Sequence, residues 1–188
     1  QQTAVRAIGE IGDAAPAKQL LDLLDSLPAA NELRYDIVNT LGILQYKPAW
    51  DSLRKIALNT GNPRYLRAFA ITALGKLGDK RILPDFLKLL REDKLPDIKL
   101  RIIAAFGEMP SSETTAAIQS AMNDSDERIR GTAIVTAGKS KDKKLTAALL
   151  YKFRYDTDAK VMLFAAETLR DMGNEEIVKL MLVKMEGT

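Results

Sequence analysis

Leu66-Arg67-Ala68-Phe69-Ala70-Ile71-Thr72-Ala73-Leu74-Gly75-Lys76-Leu77-Gly78-Asp79 is the passage on which the fold turns. Leu66, Ala70 and Leu74 stand four apart, as residues on one buried face of a helix do. Gly75 and Gly78 then loosen the chain, and Asp79 offers the side-chain oxygen that starts a second helix. The passage is one of six. Related segments close at Gly9, Gly42, Gly107, Gly138 and Arg170, so the closing position recurs every 31 to 33 residues. Such a period is the mark of stacked units, each burying its apolar face only against its neighbours. A stack of this kind offers extended surface rather than a deep cavity, and binding is its expected use.

Further columns follow once the segments are aligned on that closing position. Four residues later stand Asp13, Asp79, Ser111, Asp142 and Asn174, all helix N-cap types, with Tyr46 the exception. Eleven later stand Leu20, Leu53, Phe86, Ile118, Leu149 and Met181, and four beyond those Leu24, Ala57, Leu90, Met122, Phe153 and Met185. Before the closing position the apolar columns run Leu33, Leu66, Ile98, Ile129, Val161; then Ile37, Ala70, Ile102, Ala133, Ala165; then Leu41, Leu74, Phe106, Ala137, Leu169. Each repeat is therefore an inner and an outer amphipathic helix. No strand-like alternation appears, and the fold expected is all-α. No Pro-, Gly- or Ser-rich linker interrupts the period, so residues 1–188 read as a single domain. Gln1 falls in the middle of a repeat, which marks the chain as a piece of a longer protein. Leu180, Met181, Val183 and Met185 exceed the apolar surface a terminal helix needs; they imply a further repeat or a weak dimer contact of an otherwise monomeric chain.

Helix-pair repeats come in several kinds. The seven prolines fall at unrelated columns, against the tetratricopeptide pattern, and the absence of histidine removes the ankyrin Thr-Pro-Leu-His motif. The passage 66–79 resembles the short HEAT-like repeat of phycobilisome lyase accessory subunits and many bacterial scaffold proteins, and the likeness extends over essentially the whole chain. It implies a right-handed α-solenoid of about six helix pairs, with the inner helices lining a concave side. It carries little about function, since family members do unrelated things. Arg170 in place of the closing glycine, and Tyr46-Lys47-Pro48 in place of a capping Asp, depart from the pattern and imply locally different turns.

Composition narrows the chemistry. The chain has 188 residues, a formal charge of +3, no cysteine and no histidine. Without cysteine there is no disulfide, thiolate nucleophile or zinc–sulfur site, though no compartment follows from that. Without histidine the usual general base and the commonest metal ligand are gone, and iron held through His-Glu pairs, as in HEAT-like hydroxylases, is excluded. No Gly-rich phosphate loop or singled-out carboxylate pair appears, so no enzyme and no cofactor is expected. No run approaches the roughly 18 apolar residues of a membrane span, and the first residues are no signal peptide. Lys141-Asp142-Lys143-Lys144 reads as a solvated turn rather than a phosphate contact.

Several groups invite a sharper reading. The basic column Arg34, Arg67, Lys99 and Arg130 would make an anion ladder, but suitable acids, among them Asp93, Asp97, Asp124, Asp126, Asp156 and Asp158, favour ion pairs within the stack. Asp124-Ser125-Asp126 and Asp156-Thr157-Asp158 lack the glycine and glutamate of a calcium loop and read as helix caps. Trp50 reads as a packed outer-helix side chain. The positions 10, 6 and 3 before and 1 after the closing residue share one inner-helix face, and they vary from repeat to repeat. This face carries six cations (Arg6, Lys76, Arg101, Arg128, Lys139, Lys160) and seven anions (Glu10, Glu32, Asp36, Asp97, Glu108, Glu167, Asp171). A nearly neutral face is a poor host for a polyanion, which argues against nucleic acid. Tyr65, Phe69 and Phe164 beside arginines match the residues that anchor protein interfaces, although at the edge of the apolar stripe Phe69 and Phe164 are equally placed to turn inward. The expected function is a non-catalytic scaffold that binds a protein or peptide along this face through Tyr65, Phe69, Lys76, Asp97, Arg101, Arg128, Lys139 and Phe164, with Tyr65, Phe69 and Arg101 at its centre. The alternatives are a nucleic-acid-binding protein like the HEAT-like DNA alkylation-repair glycosylases, and an accessory subunit resembling those of bilin lyases.

Overall fold

The computed structural model describes residues 1–175 and Ile177. Among these are eleven α-helices and no strand: α1 Gln2–Ile11, α2 Ala17–Ser26, α3 Leu33–Ile43, α4 Trp50–Leu58, α5 Arg64–Leu77, α6 Leu83–Glu92, α7 Pro96–Phe106, α8 Ser112–Ala121, α9 Glu127–Ser140, α10 Thr146–Tyr155 and α11 Ala159–Asp171. No described helix is long and apolar enough to cross a membrane. The chain divides into two compact units, Gln1–Ala105 and the described residues from Phe106 onward. In the first, the inner helices α1, α3 and α5 lie side by side, with α2 packed on α3 and α4 on α5. In the second, α9 lies beside α11, with α8 on α9 and α10 on α11.

The apolar columns form the core. Every described inner-helix member, from Leu33 and Leu66 to Ala137 and Leu169, is buried, and so are Leu20, Leu53, Phe86, Ile118 and Leu149 on the outer helices. Leu90 alone is only half-buried. Each fully buried Leu, Ile or Phe side chain stabilises by roughly 1.5–3 kcal/mol, so these columns, rather than the exposed positions between them, hold the helix pairs together. Met181 and Met185, and the apolar terminal surface of Leu180 and Val183 with its dimer contact, lie outside the described residues.

The closing glycines serve close packing, not a left-handed turn. A Cβ on Gly42 would stand 2.7 Å from Ala73 Cβ and 2.8 Å from its Cα; one on Gly75 would stand 2.7 Å from Ala105 Cβ. A Cβ on Gly138 would meet Thr168 Cγ2 at 2.9 Å. In each case the opposing residue sits two places before the next closing position, a column held by Ala and Thr. The left-handed residue comes three places after the closing position: Gly12 at φ 76°, Gly78 at 66°, Gly173 at 73°, but also Gln45 at 49° and Lys141 at 53°.

The capping column works, with one adjustment. Ser111 caps α8 in a reciprocal box with Thr114, while Asp79 and Asp142 accept from Arg81 N and Lys144 N to cap short 3₁₀ turns. The outer helices α6 and α10 therefore start a few residues later than the spacing predicts. Where Tyr46 replaces the acid, Pro48 sits inside the same kind of 3₁₀ turn, Lys47–Ala49. Asp13 accepts from Ala15 N and closes a turn ahead of α2, whose N-cap is Pro16.

Candidate functional site

The basic column is part of the packing. Arg67 Nη2 donates to Asp93 Oδ2 at 2.6 Å and its Nε to Ala57 O at 3.1 Å, with both side chains of the ion pair under a tenth exposed. Arg130 forks onto Asp156 at 3.0 and 2.8 Å and also donates to the Asp124 and Ser125 carbonyls. Asp156 receives Lys152 Nζ at 3.4 Å as well. Burial pushes the Asp156 carboxyl up, but the Arg130 hydrogen bond, the Asp158 amide and the charges of Arg130 and Lys152 outweigh it, leaving the group below its ordinary value. Asp93 and Asp156 have a second duty, shared with an Asn or Asp at the matching turns. Asn31, Asn59, Asp93, Asp124 and Asp156 all accept from the amide two residues on, at the turn that precedes each inner helix. Asp126 and Asp158 then cap α9 and α11, as expected for these doublets.

With those charges consumed internally, the exposed inner-helix face remains. All its members named above are exposed or half-buried, while the apolar inner-helix columns aligned above are buried. Charges of neighbouring repeats neutralise one another: Arg6 Nε on α1 meets Asp36 Oδ1 on α3 at 2.6 Å, and Lys139 on α9 pairs with Glu108 in the turn after α7. The Asp36 hydrogen bond and charge raise the Arg6 guanidinium further above its ordinary value. Arg128 turns to its neighbour Asp126 at 2.6 Å, an ion pair that holds the Asp126 carboxyl below the usual range.

The aromatic residues sit between these pairs. Tyr65 is 56% exposed; the Arg64 guanidinium lies 4.5 Å from its ring centroid and donates to its hydroxyl, and Arg64 also reaches Asp97 at 3.8 Å. Phe69 is 40% exposed and meets Tyr35 edge-to-face at 6.2 Å. Phe164 is 38% exposed, with its ring over Gly131, whose missing Cβ would stand 3.1 Å from it. Both phenylalanines thus keep one side in solvent and rest the other on the preceding inner helix. Arg101 and Lys76 are exposed and join none of the ion pairs. Of the three residues expected at the centre, Tyr65 engages Arg64 and Phe69 engages Tyr35. Tyr35 is the contributor missed from sequence. It lies seven places before Gly42, next to the column that the neighbouring repeat covers with Phe69, and that register was visible in the repeat.

A hollow opens beside the inner helices of each unit. One, of about 440 Å³, is lined by Gln2, Arg6, Ala30, Glu32, Tyr35, Asp36, Asn39 and Phe69. The other, of about 350 Å³ in the second unit, is lined by Val135, Gly138, Lys139, Lys141, Phe164, Glu167, Thr168 and Asp171. Among the described residues no group of three acids could hold a metal ion. Trp50 is half-buried on the outer layer, its ring 4.4 Å from the Arg81 guanidinium and 5.9 Å from that of Arg54.

Stacked helix pairs with a buried seam and a variable exposed face define a helical-repeat protein of α-solenoid type. The sequence of HEAT repeats matches over residues 83–161 and that of the PBS lyase HEAT-like repeat over residues 66–92. Repeats of the HEAT type, including one of the PBS lyase HEAT-like kind, are thus recognised within residues 66–161. No curated protein matches its sequence. Among solved structures it is similar to a chain of the complex of CpcE and CpcF of phycocyanin lyase from Nostoc sp. PCC7120, with a TM-score of 0.64 and 19% identity, over 89% of this chain and 69% of that one. At that identity the likeness speaks for the fold.

Proposed function

We propose that this chain is a non-catalytic protein-interaction scaffold whose inner-helix face receives a segment of a partner protein. The observation that carries this reading is the division of labour between columns. The invariantly apolar ones are buried, while the variable ones are solvent-facing, charge-paired and interrupted by half-exposed rings beside open hollows. Side chains held on packed helices cost little further ordering when a partner arrives. An apolar side chain entering the hollow between Tyr35 and Phe69 would bury their free edges, which is how aromatic anchors contribute most of an interface's affinity. Affinity capture from nuclease-treated lysate, comparing wild type with Phe69→Ala/Arg101→Glu, tests it. A partner held by wild type and bound about 30-fold more weakly by the variant is expected, the size of a ~2 kcal/mol hot spot. Equal retention by both would remove the face from consideration.

A second reading draws on the PBS lyase repeat match over residues 66–92 and the likeness to the CpcE–CpcF complex. In it the scaffold's partner is another helical-repeat subunit, and the pair serves bilin attachment in an accessory role. Titration with a linear tetrapyrrole distinguishes the two: an absorbance shift supports the accessory role, and none leaves the general scaffold.

A further inference from the structure

The outer helix α10 differs from the other outer helices. Residues 143–155 contain no acid, whereas α2, α4, α6 and α8 each carry at least one. Leu149 and Phe153 face inward and are buried. The opposite side presents Ala147, Tyr151 and Tyr155 at intervals of four, continuing the line of the exposed Lys143 and Lys144 in the preceding turn. Tyr151 and Tyr155 are 58% and 65% exposed and lie against each other, ring centroids 5.0 Å apart and tilted by 51°. The carboxylates nearest in sequence are already engaged: Asp142 accepts from Thr115 Oγ1 and Lys144 N, and Asp156 takes Arg130 and Lys152. The stripe is thus a basic end joined to an aromatic pair: Asp142 offsets part of the Lys144 charge, while residues 143–155 add no acid and leave the end net positive.

We propose that this face of α10 is a second docking surface, and that its occupant is an acidic protein segment in which Asp or Glu residues flank an apolar side chain. The carboxylates meet Lys143 and Lys144, and the apolar residue covers the two tyrosine rings. Charge complementarity selects the acidic partner. The short run of cations sets it apart from a nucleic-acid groove, which must neutralise a row of phosphates. The tyrosines also spend part of their ring faces on each other, whereas single-strand binders offer theirs to successive bases. The surface lies wholly within the second unit, on the outer layer, and does not depend on the inner-helix reading.

The test is fluorescence anisotropy at low salt with three labelled probes: a peptide of about 12 residues with glutamates around a central leucine, long enough to follow the stripe; the same peptide with lysines for glutamates; and oligo-dT of about 20 nucleotides, the range of a single-strand site. Expected is binding of the acidic peptide alone, weakened about tenfold or more by Lys143→Glu/Lys144→Glu and by Tyr151→Ser/Tyr155→Ser, with Phe69→Ala/Arg101→Glu binding as wild type does. All substituted residues are exposed, and far-UV circular dichroism checks that each variant is folded. Unchanged peptide affinity in both α10 variants would overturn the proposal, as would oligo-dT binding more tightly than the peptide and being lost in the same variants. Loss of peptide binding in the Phe69→Ala/Arg101→Glu variant alone would assign the peptide to the inner face and equally overturn it.

Discussion

At the scale of the residue, the same arginine column is satisfied in two ways. Arg67 finds Asp93, which holds the turn with Oδ1 and the guanidinium with Oδ2, and Arg130 forks onto both oxygens of Asp156, whose Oδ1 also holds the turn. Arg34 meets only the Leu24 and Leu27 carbonyls, and its Nε is buried without a partner. The residue at the matching turn is Asn59, which closes the same amide bond but brings no charge. Reciprocal substitutions follow. Asp93→Asn keeps the turn and strands a buried cation, and should lower unfolding free energy by about 3 kcal/mol. Asn59→Asp should raise it by about 1 kcal/mol by giving Arg34 a charged acceptor. Urea denaturation reads both, and a gain from Asp93→Asn would show that the pair costs more in desolvation than it returns.

At the scale of the element, helix spacing depends on what is missing from the closing position. With a would-be Cβ at Gly42 only 2.7 Å from Ala73 Cβ and 2.8 Å from its Cα, α3 and α5 meet almost backbone to backbone. Gly42→Ala should therefore push them apart and destabilise by about 1–3 kcal/mol, even though alanine is the better helix former. Thermal unfolding by circular dichroism measures this, and an unchanged or higher Tm would refute the contact. A glycine at the end of a helix suits close packing and a left-handed turn equally. The Ala and Thr column two places before each closing position held the answer, because only a small residue can face a glycine at that distance. The helix starts at α6 and α10 were less legible, since an Asp cap signals an N-terminus without saying whether a 3₁₀ turn comes first.

At the scale of the whole molecule, stability should depend on acid. Asp79, Asp126, Asp142 and Asp156 are all held below the ordinary carboxylate value; at the first two the leading cause is a hydrogen bond from Arg81 and Arg128, at Asp142 one from Thr115, and at Asp156 the Arg130 bond and neighbouring charges that outweigh burial. A depressed native pKa contributes stability above the unfolded value and loses it as pH falls through the native one. The urea midpoint should accordingly hold near neutrality and drop below roughly pH 4, where unfolded carboxylates begin to bind protons. Asp156→Asn, weaker at pH 7, should lose less between pH 7 and 3 than wild type. An equal loss would mean Asp156 titrates alike in both states. The fold was readable because burial repeats with a fixed period. The site was less so: the period marks which positions face solvent, but not that Tyr65 turns to Arg64 and Phe69 to Tyr35, choices made by neighbours in space.

The glycine–alanine seam also sets the terms on which this molecule can change. Because its helices are gauged against each other behind the exposed face, that face carries less of the structural duty and behaves like movable type in a fixed frame. If that face receives a partner as proposed, its preference could be rewritten, by selection or at the bench, one character at a time without resetting the line.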